Sequence, residues 1–429
     1  MDAGMPGLRE RASILSSNPL RAGLDLFRIA DYRRLWVAGA LSGMTRWLEF
    51  IALGIFAYEL TKSPPLVALL AVIRMAPYVL LGFFIGALAD RFDRRRLLIG
   101  TTFILALVTL GMTILTAAGS ASYEAVAVVT FASGVFWAID MPVRRRLVVE
   151  AAGEGNIATA LGFDNATTYL TRALGPLIGG ATYQLLGIEG IYALIAFSYL
   201  VCVEMAVRLA PSPKPEPGSN PASGFLASLA IPAGLIFNRR FAIIMGVTLV
   251  HNLCSFPFLT MVPVISQKDF ALVPYLVGFM SSLEGVGGTI GAILVGVLGS
   301  ERTLFRFYFL GPFAMLTLVL ALSFNLTVSM AIPALILMGA AAASFSATQY
   351  ALVHVSSPPE HRGRATGVLS MFIGSAMLGH YIAGQLFGAY SSPVAMRIIA
   401  IGGLATMVVL GVLWVTSPDR ARKDATATR

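Results

Sequence analysis

Residues 66–96 read LVALLAVIRMAPYVLLGFFIGALADRFDRRR, and the change of character within them decides the fold class. From Leu66 to Leu88 the single charged residue is Arg74, whereas Asp90 to Arg96 is dominated by charge. About 20 apolar residues wound as a helix cross a hydrocarbon core about 30 Å thick, and a basic cluster after such a run marks the cytoplasmic side. Comparable runs recur at 35–58, 97–118, 124–141, 158–185, 190–209, 241–265, 273–298, 304–323, 328–353, 365–389 and 393–416. The pattern predicts an all-α membrane protein with twelve transmembrane helices, the fourth ending at Asp140-Met141-Pro142.

Composition agrees. The chain of 429 residues is 57% hydrophobic and 12% charged, with a mean hydropathy of +0.78. Those values exclude a soluble globular enzyme and a disordered or collagen-like chain. Two cysteines, both in apolar runs, exclude a disulfide framework or a Cys-based zinc cluster, and no metal site is expected. Of the 31 Lys and Arg, 25 fall on the side of the termini, against Lys62, Lys268 and Arg397 opposite. The net charge of +9 is therefore a topology signal rather than a nucleic-acid footprint, and it predicts cytoplasmic N- and C-termini. Residues 1–34 are polar and basic, with no apolar segment of signal-peptide type. No Gly-Lys-Ser/Thr phosphate loop occurs, so ATP is not the expected energy source and no cofactor is implied.

The stretch from Pro211 to Gly224, rich in Pro, Gly and Ser, divides the runs six and six. The expected order is an arm (1–34), a six-helix bundle (35–209), a linker (210–240), a second bundle (241–416) and a tail (417–429). Weak internal matches, Gly86–Arg96 with Gly296–Arg306 and Ala158-Thr-Ala-Leu with Ala365-Thr-Gly-Val, support a duplication.

Charges at membrane depth are costly, so they are functional candidates by default. Arg46, Glu49, Arg74 and Arg172 all fall about 16 to 21 Å from the cytoplasmic edge at about 1.5 Å per residue. Arg46 and Glu49, three apart, share a helix face. Arginine stays charged while a desolvated carboxyl can exchange a proton. Glu49, Glu284 and Asp164 are thus the proton-coupling candidates, and Arg46, Arg74, Arg172, His251, Gln349 and His380 the substrate-binding ones. A structural ion-pair network that rigidifies the first bundle is the competing reading.

Gly86-Ala-Leu-Ala-Asp-Arg-Phe-Asp-Arg-Arg-Arg96 resembles the loop 2-3 signature of the major facilitator superfamily, with Asp93 at a position usually held by glycine. Gly162, Gly175, Pro176, Gly179 and Gly180 are similar in spacing to the antiporter motif of helix 5, Thr171 replacing one glycine. With Pro142-Val-Arg, Arg172-Ala-Leu-Gly-Pro176 and the 358–365 loop, the chain most resembles the bacterial branch of macrolide and enterobactin exporters. The resemblance implies two pseudo-symmetric six-helix bundles around a central cavity and a cytoplasmic gate of Gly86, Asp90, Arg91, Arg94 and Asp140, with Arg91 and Arg94 pairing to Asp140. It implies a monomeric, proton-coupled exporter of an amphipathic or anionic small molecule in a bacterial inner membrane, with no enzymatic activity. Small residues are also common at helix contacts in any membrane bundle, so the helix 5 glycines have a plain packing reading too. An importer or lysolipid translocase on the same scaffold, or a non-transporting assembly or sensor protein, are the alternatives.

Overall fold

The computed structural model describes residues 25–211, 238–300, 303–358 and 361–416; the side chains of residues 81–91, 154 and 158 also lie outside the description. Most of the expected arm and linker, and the whole tail, therefore fall outside the described residues. The first rods are α1 (Ala30–Thr61), α2 (Pro64–Arg91), α3 (Arg94–Ala117) and α4 (Tyr123–Ala152). Ile157–Val207 then runs without a loop but turns at Gly187, whose φ of 68° suits a residue with no Cβ, giving α5 (157–186) and α6 (188–207). The second half comprises α7 (Arg239–Lys268), α8 (Pro274–Leu298), α9 (Leu304–Leu322), α10 (Val328–Ser356), α11 (Arg362–Ala389) and α12 (Ser392–Val415). Helix α7 contains a π-helical turn, His251–Ser255, and α11 is interrupted at Ser375. Among the described residues ten helices are long and apolar enough to span a membrane; dividing Ile157–Val207 at Gly187 and adding α2 gives the expected twelve.

One boundary differs materially from expectation. Helix α4 continues past Met141 to Ala152 and is closed by Gly153 at φ 77°. Proline in a helix interior loses one backbone bond, but in lipid the remaining groups have no better partners than helical ones, so Pro142 does not stop the rod. The Pro142-to-Arg146 segment, whose three arginines were assigned to the loop after the fourth run, is helical.

Short contacts fix which ends lie together. Arg34 at the start of α1 donates to the Arg208 carbonyl beyond α6 at 2.7 Å, and Arg239 at the start of α7 donates to Thr416 beyond α12 at 2.7 Å. This shared end is called the base, the opposite one the crown. Buried apolar side chains form one cluster across both halves, including Ile51, Tyr58, Ile191, Met261, Val277 and Phe387. Nearer the base each half has its own: Leu35, Leu98, Val143 and Val148 in the first, Phe241, Tyr308, Leu352 and Met407 in the second. Two seams join the halves. Along α5–α8 a Cβ at Gly180 or Gly278 would overlap the opposing backbone, and along α2–α11 Gly384 and Gly388 press on Ala68 and Pro65. Gly162, Gly363 and Gly367, near the base, meet nothing within 4 Å. The tightest glycine contacts of both seams thus lie towards the crown.

The outer helices turn apolar side chains outward, for example Ile104 and Ile114 on α3 and Val409 and Val412 on α12. Hydroxyls inside the rods donate back to carbonyls four residues earlier, as Thr102 does to Leu98 and Thr130 to Val126, both at 2.7 Å, which satisfies them without water.

Candidate functional site

Four polar clusters follow from this frame. In the first half, Glu49 on α1 is buried, accepts a hydrogen bond from Ser133 of α4 at 2.7 Å, and lies 3.4 Å from the Arg74 guanidinium of α2. The pair is incomplete: Glu49 Oε2 and both Arg74 Nη atoms are buried without a hydrogen-bond partner. Gly134 lets α4 approach α2 at this level, because a side chain there would overlap the Arg74 carbonyl. Arg46, one turn away, forms no ion pair with a described carboxylate. Its guanidinium lies 5.1 Å from the Trp137 ring centroid and 5.8 Å from that of Trp47. A cation over a ring recovers about 0.5–2 kcal/mol. That is less than the roughly 2.5–3.5 kcal/mol or more that a charge costs at the bilayer centre.

The second cluster joins the halves. Arg172 of α5 grips Glu284 of α8 bidentately, Nε to Oε2 at 2.7 Å and Nη2 to Oε1 at 2.5 Å, and its Cζ lies 5.1 Å from the Trp47 ring. Gly285 makes this reach possible, since a Cβ there would meet the Arg172–Ala173 backbone. The sequence grouped Arg46, Arg74 and Arg172 around Glu49; in the structure only Arg74 pairs with it, and Arg172 is committed to the opposite half. Helical spacing carries no information on a partner 112 residues away.

The third cluster lies in the second half. His251, in the π turn of α7, stacks on Phe345 of α10 at 4.0 Å, and its Nδ1 is buried without a partner. His380 of α11 shares a 3.1 Å hydrogen bond with Thr260, and Phe256 sits 5.5 Å from the His380 ring. Gln349 donates to Thr248 at 3.4 Å, and Thr248 is also bonded to the Tyr308 hydroxyl at 2.6 Å. Gln349 therefore belongs to a knot within the half. A π turn adds one residue to a helical turn and re-aims its side chains, and such turns are frequent at functional sites.

The fourth cluster replaces the expected gate pairing. Asp140 is bonded by Arg144 of its own helix, at 3.4 Å, while Arg94 pairs with Glu150 instead. Arg144 also donates to Asp164 of α5 at 2.6 Å, Arg145 donates to Asp164 at 3.1 Å and to Asn165 at 3.0 Å, and Gly39 leaves room for the Arg144 guanidinium. The cause is the longer α4, which lifts Asp140 from a helix end into the bundle and puts Arg144 one turn below it. Arg144 and Arg145 were missed because their charge read as loop; the i, i+4 spacing of Asp140 and Arg144 was the available signal. Gly86, Asp90 and Arg91 lie in the last turns of α2, and their side chains fall outside the described residues.

The helix 5 glycines divide by what they touch. Gly175 and Gly179 seat α5 against Trp47 and Leu48 of α1, Gly180 abuts α8, the Pro176 carbonyl faces Gly278, and Gly162 faces open space.

Comparison with known proteins follows the same lines. The family model for the Major Facilitator Superfamily matches residues 35–377. Macrolide efflux protein A of Streptococcus pyogenes is 22% identical over 82% of this chain and 88% of its own length. The staphyloferrin A transporter of Staphylococcus aureus is 22% identical over 86% and 91%. Among solved structures, nucleoside transporter NupG superposes with a TM-score of 0.70 at 15% identity, covering 90% of this chain and 100% of that one. A bacterial homologue of the human lysosomal transporter Spinster, in an inward-facing and unoccupied conformation, gives 0.65 at 14% identity over 91% and 95%. The resemblance read from loop 2-3 and helix 5 is borne out. With twelve rods, two seams and a family match over most of its length, this multi-pass membrane protein belongs to the major facilitator superfamily of secondary transporters.

Proposed function

We propose that the chain exports an amphipathic or anionic small molecule from the bacterial cytoplasm in exchange for protons. In this reading it works as a monomer in the inner membrane, with the base facing the cytoplasm. The Arg172–Glu284 fork is the observation that carries the reading, because it ties the two halves together at mid-membrane through a group that can lose its charge. Alternating access requires the halves to rock about a central site, so a clasp across the α5–α8 seam must open and close in each cycle. In the crown-closed state Glu284 is held by Arg172. Substrate entering from the base competes for Arg172, the fork opens and the crown parts. Glu284 then takes a proton from the outer side, and re-forming the fork on return expels that proton to the cytoplasm. Arginine cannot serve as the proton carrier, since its guanidinium stays charged.

Glu49 is the second carrier in this scheme, held by Ser133 and loosely by Arg74. Asp164, between two arginines, joins Asp140 as part of the cytoplasmic gate, with Gly86, Asp90, Arg91 and Arg94 at its rim. The substrate face comprises Arg46, Arg74 and Arg172 from the first half and His251, Gln349 and His380 from the second. The 25-to-3 distribution of basic residues supports the orientation, and the macrolide efflux relative supports the direction. Proteoliposomes carrying an internal pH dye test the scheme. Glu284→Gln and Glu49→Gln should each insert normally and abolish transport driven by a pH gradient, and an unchanged proton flux in both would sink proton coupling.

A further inference from the structure

We infer that Arg46 and the Trp137 indole N–H form a receptor for one oxyanion, and that the transported substrate is a soluble organic monoanion with an apolar body. This inference rests on the transport reading and adds the chemical class of the ligand. At this depth Arg46, Arg74 and Arg172 face Glu49 and Glu284, and the buried Asp140, one turn from Trp137 on α4, is the further carboxylate whose field reaches Arg46. Each of these carboxylates is committed elsewhere: Glu284 to Arg172, Glu49 to Arg74 and Asp140 to Arg144, so Arg46 has no ion pair of its own among the described residues. Arg46 is half-buried, and ring contacts offset only part of the hydration it gives up.

A second observation points to the same place. Trp137 is 5% exposed, and its Nε1 is buried with no acceptor although Arg46 lies over its ring. A buried indole N–H normally finds a partner. An unpaired N–H beside an unpaired guanidinium makes a set of donors with no acceptor, which is what a carboxylate or another oxyanion requires. Protein side chains could not supply that acceptor without cancelling the site, whereas a bound anion satisfies it only while bound.

The surroundings set the remainder of the ligand. Trp47 is shared, with Arg46 on one contact and Arg172 on another, so an anion held by Arg46 lies beside the Arg172–Glu284 fork. One negative charge gives Arg46 the partner it lacks, while a second would have to displace Glu284 or Glu49 from its arginine. In the second half, His251 stacks on the buried Phe345 and lies 6.1 Å from the Phe256 ring, and its Nδ1 is unsatisfied, so this side adds aromatic surface and one free ring nitrogen. A monoanion on an aromatic or aliphatic body matches both faces, and a dianion or a cation matches neither.

Calorimetric titration of the purified protein in phosphatidylcholine nanodiscs, with 2-naphthoate and its uncharged amide as probes, tests the receptor. Naphthoate should bind at least 10-fold more tightly than the amide, and 2,6-naphthalenedicarboxylate more weakly than naphthoate. Arg46→Gln should erase the preference, Arg46→Lys restore part of it, and Trp137→Phe reduce it. Equal binding of acid and amide by wild type, or a preference that survives Arg46→Gln in a monodisperse protein, overturns the inference. Loss of naphthoate binding when phosphatidylglycerol is added to the discs overturns it in favour of a lipid headgroup. The transport reading fails separately: wild type that discriminates naphthoate but moves no proton in liposomes keeps the receptor and loses the exporter.

Discussion

Arg144 shows how much a single side chain can hold in this bundle. Its guanidinium stands between Asp140 and Asp164, all three nearly excluded from solvent. Removing it leaves two buried carboxylates with one remaining partner, Arg145. Breaking a buried pair from one side costs about 3–5 kcal/mol, whereas an exposed pair such as Arg208–Glu204 is worth about 0–1 kcal/mol. Arg144→Ala should therefore lower the thermal midpoint in detergent by several degrees, and Arg208→Ala should leave it nearly unmoved. Equal shifts would show that the Asp140–Arg144–Asp164 chain is solvated. At this scale the sequence disclosed which residues matter more readily than whom they meet. Arg46, Glu49, Arg74 and Arg172 stand out because charge within an apolar run is expensive, and that holds for any partner. Pairing is a matter of three dimensions: Glu284 was visible as a carboxylate and Arg172 as an arginine, but nothing in their spacing joins them.

For the helices, the seams are where sequence and motion meet. Gly180 and Gly278 place α5 and α8 in backbone contact near the crown, so a bulky side chain at either should wedge the seam apart. Gly278→Leu is expected to shift the protein towards a crown-open state. Thiol reagents added from the outer side should then reach a cysteine introduced at Ser282, which is 5% exposed in the closed form, at a rate raised about 10-fold or more. Gly162→Ala, which meets open space, should leave that rate unchanged. The helix 5 glycines were legible as a motif, but the division of labour among them was not, because two face α1 and one faces α8 within the same two turns. Helix α4 was misjudged for a related reason. Proline and a run of arginine signal a loop in water, whereas at a membrane base the same residues continue a helix when a buried carboxylate lies one turn above.

At the scale of the whole molecule, the fold was almost fully readable. Twelve apolar runs in two sets of six need only length and hydropathy, and the all-helical frame they predict is the one observed; its facilitator character was legible through the resemblance of loop 2-3 and helix 5. The resting state of the bundle was not readable, since crown-closed and crown-open arrangements bury the same residue types. Topology offers a direct check. Cysteines placed at Gly119 and at Pro211 should be labelled by impermeant maleimide only from opposite faces of the cell envelope, Gly119 from outside. Labelling of both from one side would overturn the orientation proposed above. The crown has a practical consequence of its own. The turns after α1 and α11 are two residues long, and α5 passes into α6 through Gly187 with no loop at all. With the crown on the outer face, as proposed above, turns this short give proteases and antibodies little to grip, so an epitope tag for surface detection belongs in the open turn at Gly119; the same tag at Gly187 would cut a rod in two.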